Sequence, residues 1–183
     1  MPRCFIGLNL PPQIKAEFSQ IQADLKIKNK DSKITWVDPK IAHINLRFLG
    51  DLDKNRVNTL SEELKALESK YGPILAFLTG VGAFPSLKNP RILFLGVKHK
   101  NENNLIKLYS DLGPILNHQN IPTEDRPFIA HITLGRIKEA KNSVEFIGEE
   151  MPDIEFKIGT FELMESILTP HGPEYKVIQS YDL

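Results

Sequence analysis

Two strand-like runs, ILAFLTGVGAF from Ile74 and RILFLGV from Arg91, are separated only by Pro-Ser-Leu-Lys-Asn-Pro. A parallel crossover needs about a dozen residues or more, so these two strands must run antiparallel. The same brevity recurs along the chain. ITWV (Ile34–Val37) and IAHINLRFL (Ile41–Leu49) are broken by Asp38-Pro39-Lys40, and Phe161–Thr169 is joined to Tyr175–Leu183 around the turn sequence PHGP. Further strands are expected over Arg3–Leu10, Phe128–Arg136 and Ile154–Ile158. Between them lie three stretches of 3.6-residue periodicity: Ile14, Phe18, Ile21 and Leu25; Val57, Leu60, Leu64 and Leu67 in Lys54–Tyr71; and Leu105, Leu108, Leu112 and Ile115 in Asn104–Asn117. The Lys26–Lys33 stretch, KIKNKDSK, reads as a solvated loop. Largely antiparallel strands with covering helices define an α+β layout. A chain of 183 residues suffices for one domain, residues 1–183, built as one unit or as two small lobes sharing a core.

Charge narrows the classes of function. Lys plus Arg equals Asp plus Glu at 23 each, so no global basic field exists to hold a long nucleic acid. A local basic groove for a small or terminal phosphate is a better expectation. Cys4 is the only cysteine, which excludes an internal disulfide framework and a multi-cysteine zinc site and fits a reducing cytoplasm. The N-terminal apolar run is too short for a signal peptide, and no run approaches a membrane span, so a cytoplasmic protein without membrane attachment is expected.

Chemistry concentrates in a repeated phrase. Ala-His-Ile-polar-Leu occurs in IAHINLRFLGD and again in FIAHITLGR, once in each half of the chain. Strand alternation sends residues i and i+2 to one face. His43, Asn45 and Arg47 should therefore point together, as should His131 and Thr133, with Ala42, Ile44, Leu46, Phe48, Ala130, Ile132 and Leu134 opposite. Two adjacent strands of this kind give a cleft with two imidazoles and two polar anchors. One imidazole of such a pair can be neutral and the other protonated near neutrality, as concerted general base and general acid catalysis needs. Displacement at phosphorus is in line and wants the two on opposite sides, with polar groups on the non-bridging oxygens. Arg136 has the planar fork suited to phosphate. Strict alternation points it away from His131, so it reaches the cleft only if the strand bulges or ends near Gly135. A single histidine on a half-buried strand is more often structural; the pairing reverses that. No His-x-His or His-Glu-x-x-His spacing is present, so no metal is expected. His99 and His118 read as solvated, and His171 as a turn residue.

With these residues in place the chain resembles the two-histidine (2H) phosphoesterase superfamily, specifically the RNA 2′,3′-cyclic phosphodiesterases once called 2′-5′ RNA ligases. Their two His-x-Thr-x motifs are matched by His43-Ile44-Asn45-Leu46 and His131-Ile132-Thr133-Leu134. The likeness extends through RCFIGLNLP, WVDPKIAHINLRFLGDLD, GVGAFPSLKNPRILFLGV, RPFIAHITLGRIK and ESILTPHGPEYKVIQSYDL. The resemblance implies a bilobal fold in which two mainly antiparallel sheets face a central cleft, with helices outside. It implies hydrolysis of a terminal 2′,3′-cyclic phosphate on RNA to a 2′-phosphomonoester, without metal or nucleotide cofactor. His131 would take a proton from water and His43 would donate one to the departing O3′, while Asn45, Thr133 and Arg136 bind phosphate. The same site run backwards would join a cyclic end to a 5′-hydroxyl without ATP.

One departure stands in the first motif, where Asn45 replaces the usual Thr or Ser; an amide still donates through its NH2 group. Phe5, Phe128 and Tyr175 are candidates for stacking on a terminal base, with core packing the alternative. The expected partners are RNA ends or small cyclic nucleotides, tRNA fragments among them, bound by a monomer. A non-catalytic RNA-end-binding module, with Asn45 marking a decayed site, is the competing reading.

Overall fold

The computed structural model describes residues 1–100, 104–123, 127–139, 154–170 and 172–183. Its first strand, β1 (Arg3–Asn9), buries Ile6 and Leu8 in a common core with the helices. Pro11 and Pro12 end it and open α1 (Pro12–Lys28), where proline's missing N–H costs nothing. Ile14, Phe18, Ile21 and Leu25 form the buried stripe of α1, joined by Gln22. The helix runs three residues into the stretch read as a loop, through Lys28, and the Asn29 side chain donates back to the Leu25 carbonyl (2.9 Å). After β2 (Lys33–Trp36) and β3 (His43–Asp51) comes α2 (Lys54–Leu64), capped by the Asp53 carboxylate accepting the Arg56 N–H. The periodicity through Tyr71 overstates this helix. A 3₁₀ turn over Lys65–Leu67 ends it, because the Ser69 N–H is drawn to the Asp182 carbonyl (2.8 Å) at the chain's last strand.

The hairpin expected from its short connection is β4 (Ile74–Ser86) with β5 (Asn89–His99). α3 (Asn104–His118) follows and buries Leu105, Leu108, Leu112 and Leu116, with Ile115 only partly covered. The chain closes with β6 (His131–Glu139), β7 (Ile154–Ile158), β8 (Thr160–Thr169) and β9 (Gly172–Asp182). Every strand pair among the described residues is antiparallel.

Where two separate sheets were expected, hydrogen bonding is continuous. Among the described residues a single nine-stranded sheet runs in the order β7-β4-β5-β6-β3-β1-β8-β9, with β2 also on β6. The join is narrow: β3 and β6 are paired only at Ile44 and Ile132. Beyond that point β2 takes over the same edge of β6, Trp36 lying opposite Gly135 and Thr35 opposite Arg136. The two halves thus touch at one rung and part on either side of it. Ala42, Ile44, Leu46, Ile132 and Leu134 sit in the helix-side core, leaving the opposite face at the rung for the site.

Candidate active site

The single rung places four side chains. Ile44 and Ile132 are direct antiparallel partners with buried side chains. Their chain neighbours must therefore emerge on the other face, with His43 next to Thr133 and Asn45 next to His131. The imidazoles occupy one diagonal of this parallelogram, where Cβ atoms are typically ~7–8 Å apart. All four residues line one cleft of about 910 Å³. Asn45 Oδ1 is buried with no hydrogen-bond partner among the described residues. The donor of this amide is Nδ2, the atom with which Asn45 would meet an anion.

Both rings are held alike. Nδ1 of His43 lies 2.9 Å from the Ile41 carbonyl oxygen, and Nδ1 of His131 lies 2.7 Å from that of Ile129. A carbonyl only accepts, so each Nδ1 carries a hydrogen and each Nε2 is left to gain or lose a proton. Burial pushes the His43 imidazole below its ordinary range; the Ile41 bond opposes this, and the neighbouring His131 and Lys15 charges add to it. Burial also lowers His131, opposed by its bond to Ile129. Two imidazoles with depressed affinity for protons and fixed tautomers can exchange protons with a ligand between them. Among the described residues, no group of three or more His, Cys, Asp or Glu is gathered as a metal would need.

Aromatic rings brace each imidazole. His43 packs on Phe5 (centroids 4.9 Å apart) and edge-on to Tyr175 (5.1 Å), which themselves meet at 4.8 Å. The ring has room because residue 7 has no side chain. A Cβ there would stand 2.9 Å from the Ile44 carbonyl oxygen and 3.3 Å from His43 Cδ2. On the other half, His131 meets Phe84 (5.0 Å) and Phe94 (5.4 Å) edge-on, and those two phenyls stack at 4.3 Å. Phe84 and Phe94 were not singled out in the sequence. Their position in the hairpin that borders the second histidine strand was the available signal.

Arg136 enters the cleft as the bulge argument requires. In the β5–β6 ladder Phe94 faces Thr133 and Leu93 faces Gly135, so Leu134 is the extra residue and Arg136 returns to the face of His131. Gly135 is needed there, since a Cβ would come within 2.9 Å of Ile34 and 3.1 Å of Trp36. The buried Gln22 amide braces the bulge, donating to the carbonyls of Leu134 (3.1 Å) and Val37 (2.7 Å). Arg136 lies near enough to Tyr175 to counter the upward push of burial on that phenol.

The other half corrects the reading of Arg47. Gly7 pairs with Asn45 and Ile6 with Arg47, so Leu46 is also a bulge residue and the alternation changes phase. Arg47 is buried on the helix side. Its Nη1 donates to the Tyr109 hydroxyl (2.7 Å), its Nη2 to the Tyr109 carbonyl (3.1 Å), and its guanidinium lies 3.5 Å over the Tyr109 ring. Phe48, placed in the core by simple alternation, instead lines the cleft and is 63% exposed.

Of the three stacking candidates, Phe5 and Tyr175 reach the cleft, but Phe5 is 3% exposed and its ring is taken up by His43 and Tyr175. Phe128 does not reach it. It stacks on Tyr109 (4.3 Å) and lines a separate hollow of about 340 Å³ with Ile106 and His99. Three residues before His131, alternation itself assigns Phe128 to the opposite face. His118 is held by Glu63 (3.0 Å), and His99 ends β5; neither shares the cleft. His171 lies outside the described residues. No helix among the described residues is long and apolar enough to cross a membrane.

Comparison with known proteins follows the same division of the chain. The family model described as LigT like Phosphoesterase matches twice, over residues 8–94 and 95–175, with one histidine strand in each match. An RNA 2′,3′-cyclic phosphodiesterase of Thermotoga maritima is 32% identical, covering 96% of this chain and 92% of that protein. Another of the same name from Methanocaldococcus jannaschii is 30% identical over 98% and 99%. Among solved structures, TT0787 of Thermus thermophilus superposes with a TM-score of 0.80 at 27% identity, covering 99% of this chain and 97% of that one.

Proposed function

This chain belongs to the family of LigT-like phosphoesterases, and from that premise we propose that it hydrolyses the terminal 2′,3′-cyclic phosphate of RNA to a 2′-phosphomonoester. One observation carries the reading: two imidazoles on one face of a single rung, each with Nδ1 tied to a carbonyl and Nε2 without a hydrogen-bond partner among the described residues. The half-sheets on either side act as two lobes gripping the RNA end.

In the proposed reaction a water oxygen attacks phosphorus as its proton passes to Nε2 of His131. The P–O3′ bond opposite breaks, and O3′ takes the proton held on Nε2 of His43. Asn45 Nδ2, the Thr133 hydroxyl and the Arg136 guanidinium donate to the non-bridging oxygens, whose charge grows in the transition state. Exchange with solvent then returns a proton to His43 and removes one from His131. All the acid–base work falls to the imidazoles, so neither metal nor nucleotide cofactor enters. With a 5′-hydroxyl in place of water, the same groups in the same roles, His131 taking the proton and His43 giving one to O3′, give ATP-independent 2′-5′ joining.

The test is phosphorus NMR of 2′,3′-cyclic AMP incubated with the protein and EDTA. The cyclic resonance should give way to that of a 2′-monoester. His43→Ala and His131→Ala should each lower kcat by ~10²–10⁴-fold, the usual worth of general acid or base assistance. Binding of the cyclic nucleotide without product would instead make the protein a module that holds RNA ends. Near-normal turnover by either variant would rule out the paired-imidazole mechanism.

A further inference from the structure

We propose that Lys15 is a positioning residue for His43, its ammonium tying down the turn that fixes this imidazole and placing a charge beside one ring of the pair. The inference rests on the reading of the cleft as an acid–base site. Lys15 is the fourth residue of α1 and does not line the cleft. Its Nζ donates to the Lys40 carbonyl (2.7 Å), in the 3₁₀ turn Pro39–Ile41 that leads into β3. The next carbonyl along, that of Ile41, is the one that holds Nδ1 of His43 (2.9 Å). The turn is shaped from within by the Asp38 carboxylate, which accepts the Lys40 N–H (2.9 Å). Lys15 moors that turn to α1, so one side chain outside the cleft anchors the peptide that orients the ring.

The lysine stands where local preference opposes it. A cation near the start of a helix works against the dipole, and α1 has no acidic residue in its first turn to offset it. The offset comes from elsewhere in the fold. Burial draws the Lys15 ammonium below its ordinary range, and the Glu162 and Asp38 carboxylates oppose this. Glu162 is 8% exposed on β8, and its Oε2 is buried without a hydrogen-bond partner among the described residues. Burial pushes its carboxyl up, and the Lys15 charge opposes that in turn. A buried carboxylate and a cation at a helix start are each unfavourable alone and compensate each other here. Local rules broken together in this way mark functional sites.

The second motif is tied differently. There the carbonyl just before the histidine, that of Ala130, takes the Val97 backbone N–H (3.1 Å), a neutral donor from the neighbouring strand. The titratable groups that face His43 are His131 from β6, Lys15 from α1 and the Tyr175 phenol from β9. Of these, Tyr175 is held neutral, since burial pushes its phenol up. Lys15 acts on His43 and not on His131. A cation beside one imidazole disfavours its charged form, so that ring gives up its proton more readily. In the proposed reaction the departing O3′ takes its proton from this same ring.

The experiment is imidazole NMR titration of the free protein as wild type, Lys15→Met and Lys15→Arg, with kcat and KM for 2′,3′-cyclic AMP followed across pH. Methionine keeps the apolar stem and removes both charge and donor; arginine keeps both. In Lys15→Met the His43 resonance should titrate at higher pH than in wild type, while that of His131 moves less. Its kcat at the pH maximum should fall by about 10- to 100-fold, as for a group displaced by ~1 Å, with KM unchanged. Arginine should restore the His43 titration and the rate. A His43 titration that stays in place in Lys15→Met, an equal shift of both rings, an unaltered kcat, or no recovery with arginine would overturn the assignment. Because the titration is read on the free protein, failure of the hydrolysis reading would show in the phosphorus NMR experiment and not here.

Discussion

Gly7 offers a direct measure of how far the placement of His43 depends on its surroundings. An added Cβ at residue 7 would lie 2.9 Å from the Ile44 carbonyl oxygen, 3.0 Å from Met164 Cε and 3.3 Å from His43 Cδ2. The methionine methyl can swing aside. The carbonyl cannot, because Ile44 is buried on the central strand that joins the two half-sheets. Gly7→Ala must therefore push β1 from β3 or lift the imidazole toward the cleft. Forcing extra volume into a packed site costs ~1–3 kcal/mol. For a chain of this length ~2–4 °C accompanies each kcal/mol, so the melting temperature should fall by about 2–12 °C. A ring displaced by ~1 Å from its productive position loses ~10²-fold in rate.

Gly80→Ala is the matched control, because a Cβ there meets nothing within 4 Å. Thermal melts and kcat/KM on 2′,3′-cyclic AMP, measured side by side, decide the matter. Loss of stability and of rate in Gly7→Ala with neither in Gly80→Ala is the expected pattern. A Gly7→Ala protein with wild-type melting temperature and rate would refute the claim that this glycine makes room for the imidazole.

Two further measurements bear on the site. Burial lowers both His43 and His131, so the bell-shaped kcat/KM profile of the free enzyme should centre on the acid side of the ordinary imidazole value of about 6.5, and the bound phosphate's charge should move the kcat profile upward. The unfolded chain takes up these protons first as pH falls, so stability should be greatest above that value and decline below it; a kcat/KM optimum well above 7, or a melting temperature rising on acidification through this window, would contradict the assignment. Gln22→Leu leaves the Val37 carbonyl without its amide partner and unties Leu134, which should cost ~1–3 kcal/mol and raise KM as Arg136 loses its aim. An unchanged melting temperature and KM would show that the bulge holds itself.

How much of this was legible in the sequence depended on whether the relevant force was local. Alternation gave the faces of His43, Asn45, His131 and Thr133 because those residues precede any irregularity in their strands. Arg136 was read as requiring a bulge because Gly135 stood beside it, and the bulge exists at Leu134. Arg47 and Phe48 were assigned to the wrong faces for the complementary reason. No glycine or proline in LRFL marks the break. The bulge arises from the fit of β3 to β1, which carries the glycine at position 7, 39 residues before Leu46. The single sheet was equally hidden, since only the non-local Ile44–Ile132 rung separates one curled sheet from two. Phe128 is legible without the structure: its odd spacing from His131 places it away from the cleft.

The near-symmetry of the site raises a question that its asymmetries answer. Two equivalent imidazoles about one rung give no preference for which is base and which is acid, yet an in-line displacement needs one of each. The departures from symmetry lie at every other corner. Lys15 acts on His43 and not on His131; Asn45 answers to Thr133; Phe48 answers to Arg136. Arg136 on one arm and the exposed Phe48 ring on the other make the two arms of the cleft unlike in charge and polarity. On the proposed reading, binding thus settles which oxygen faces which imidazole before any proton moves, and the chemistry inherits its direction from the arms rather than from the histidines. An enzyme so built would lose regiochemistry before it lost turnover when the arms are altered. For this reason the ratio of 2′- to 3′-monoester in Arg136→Lys carries more information about the mechanism than its rate.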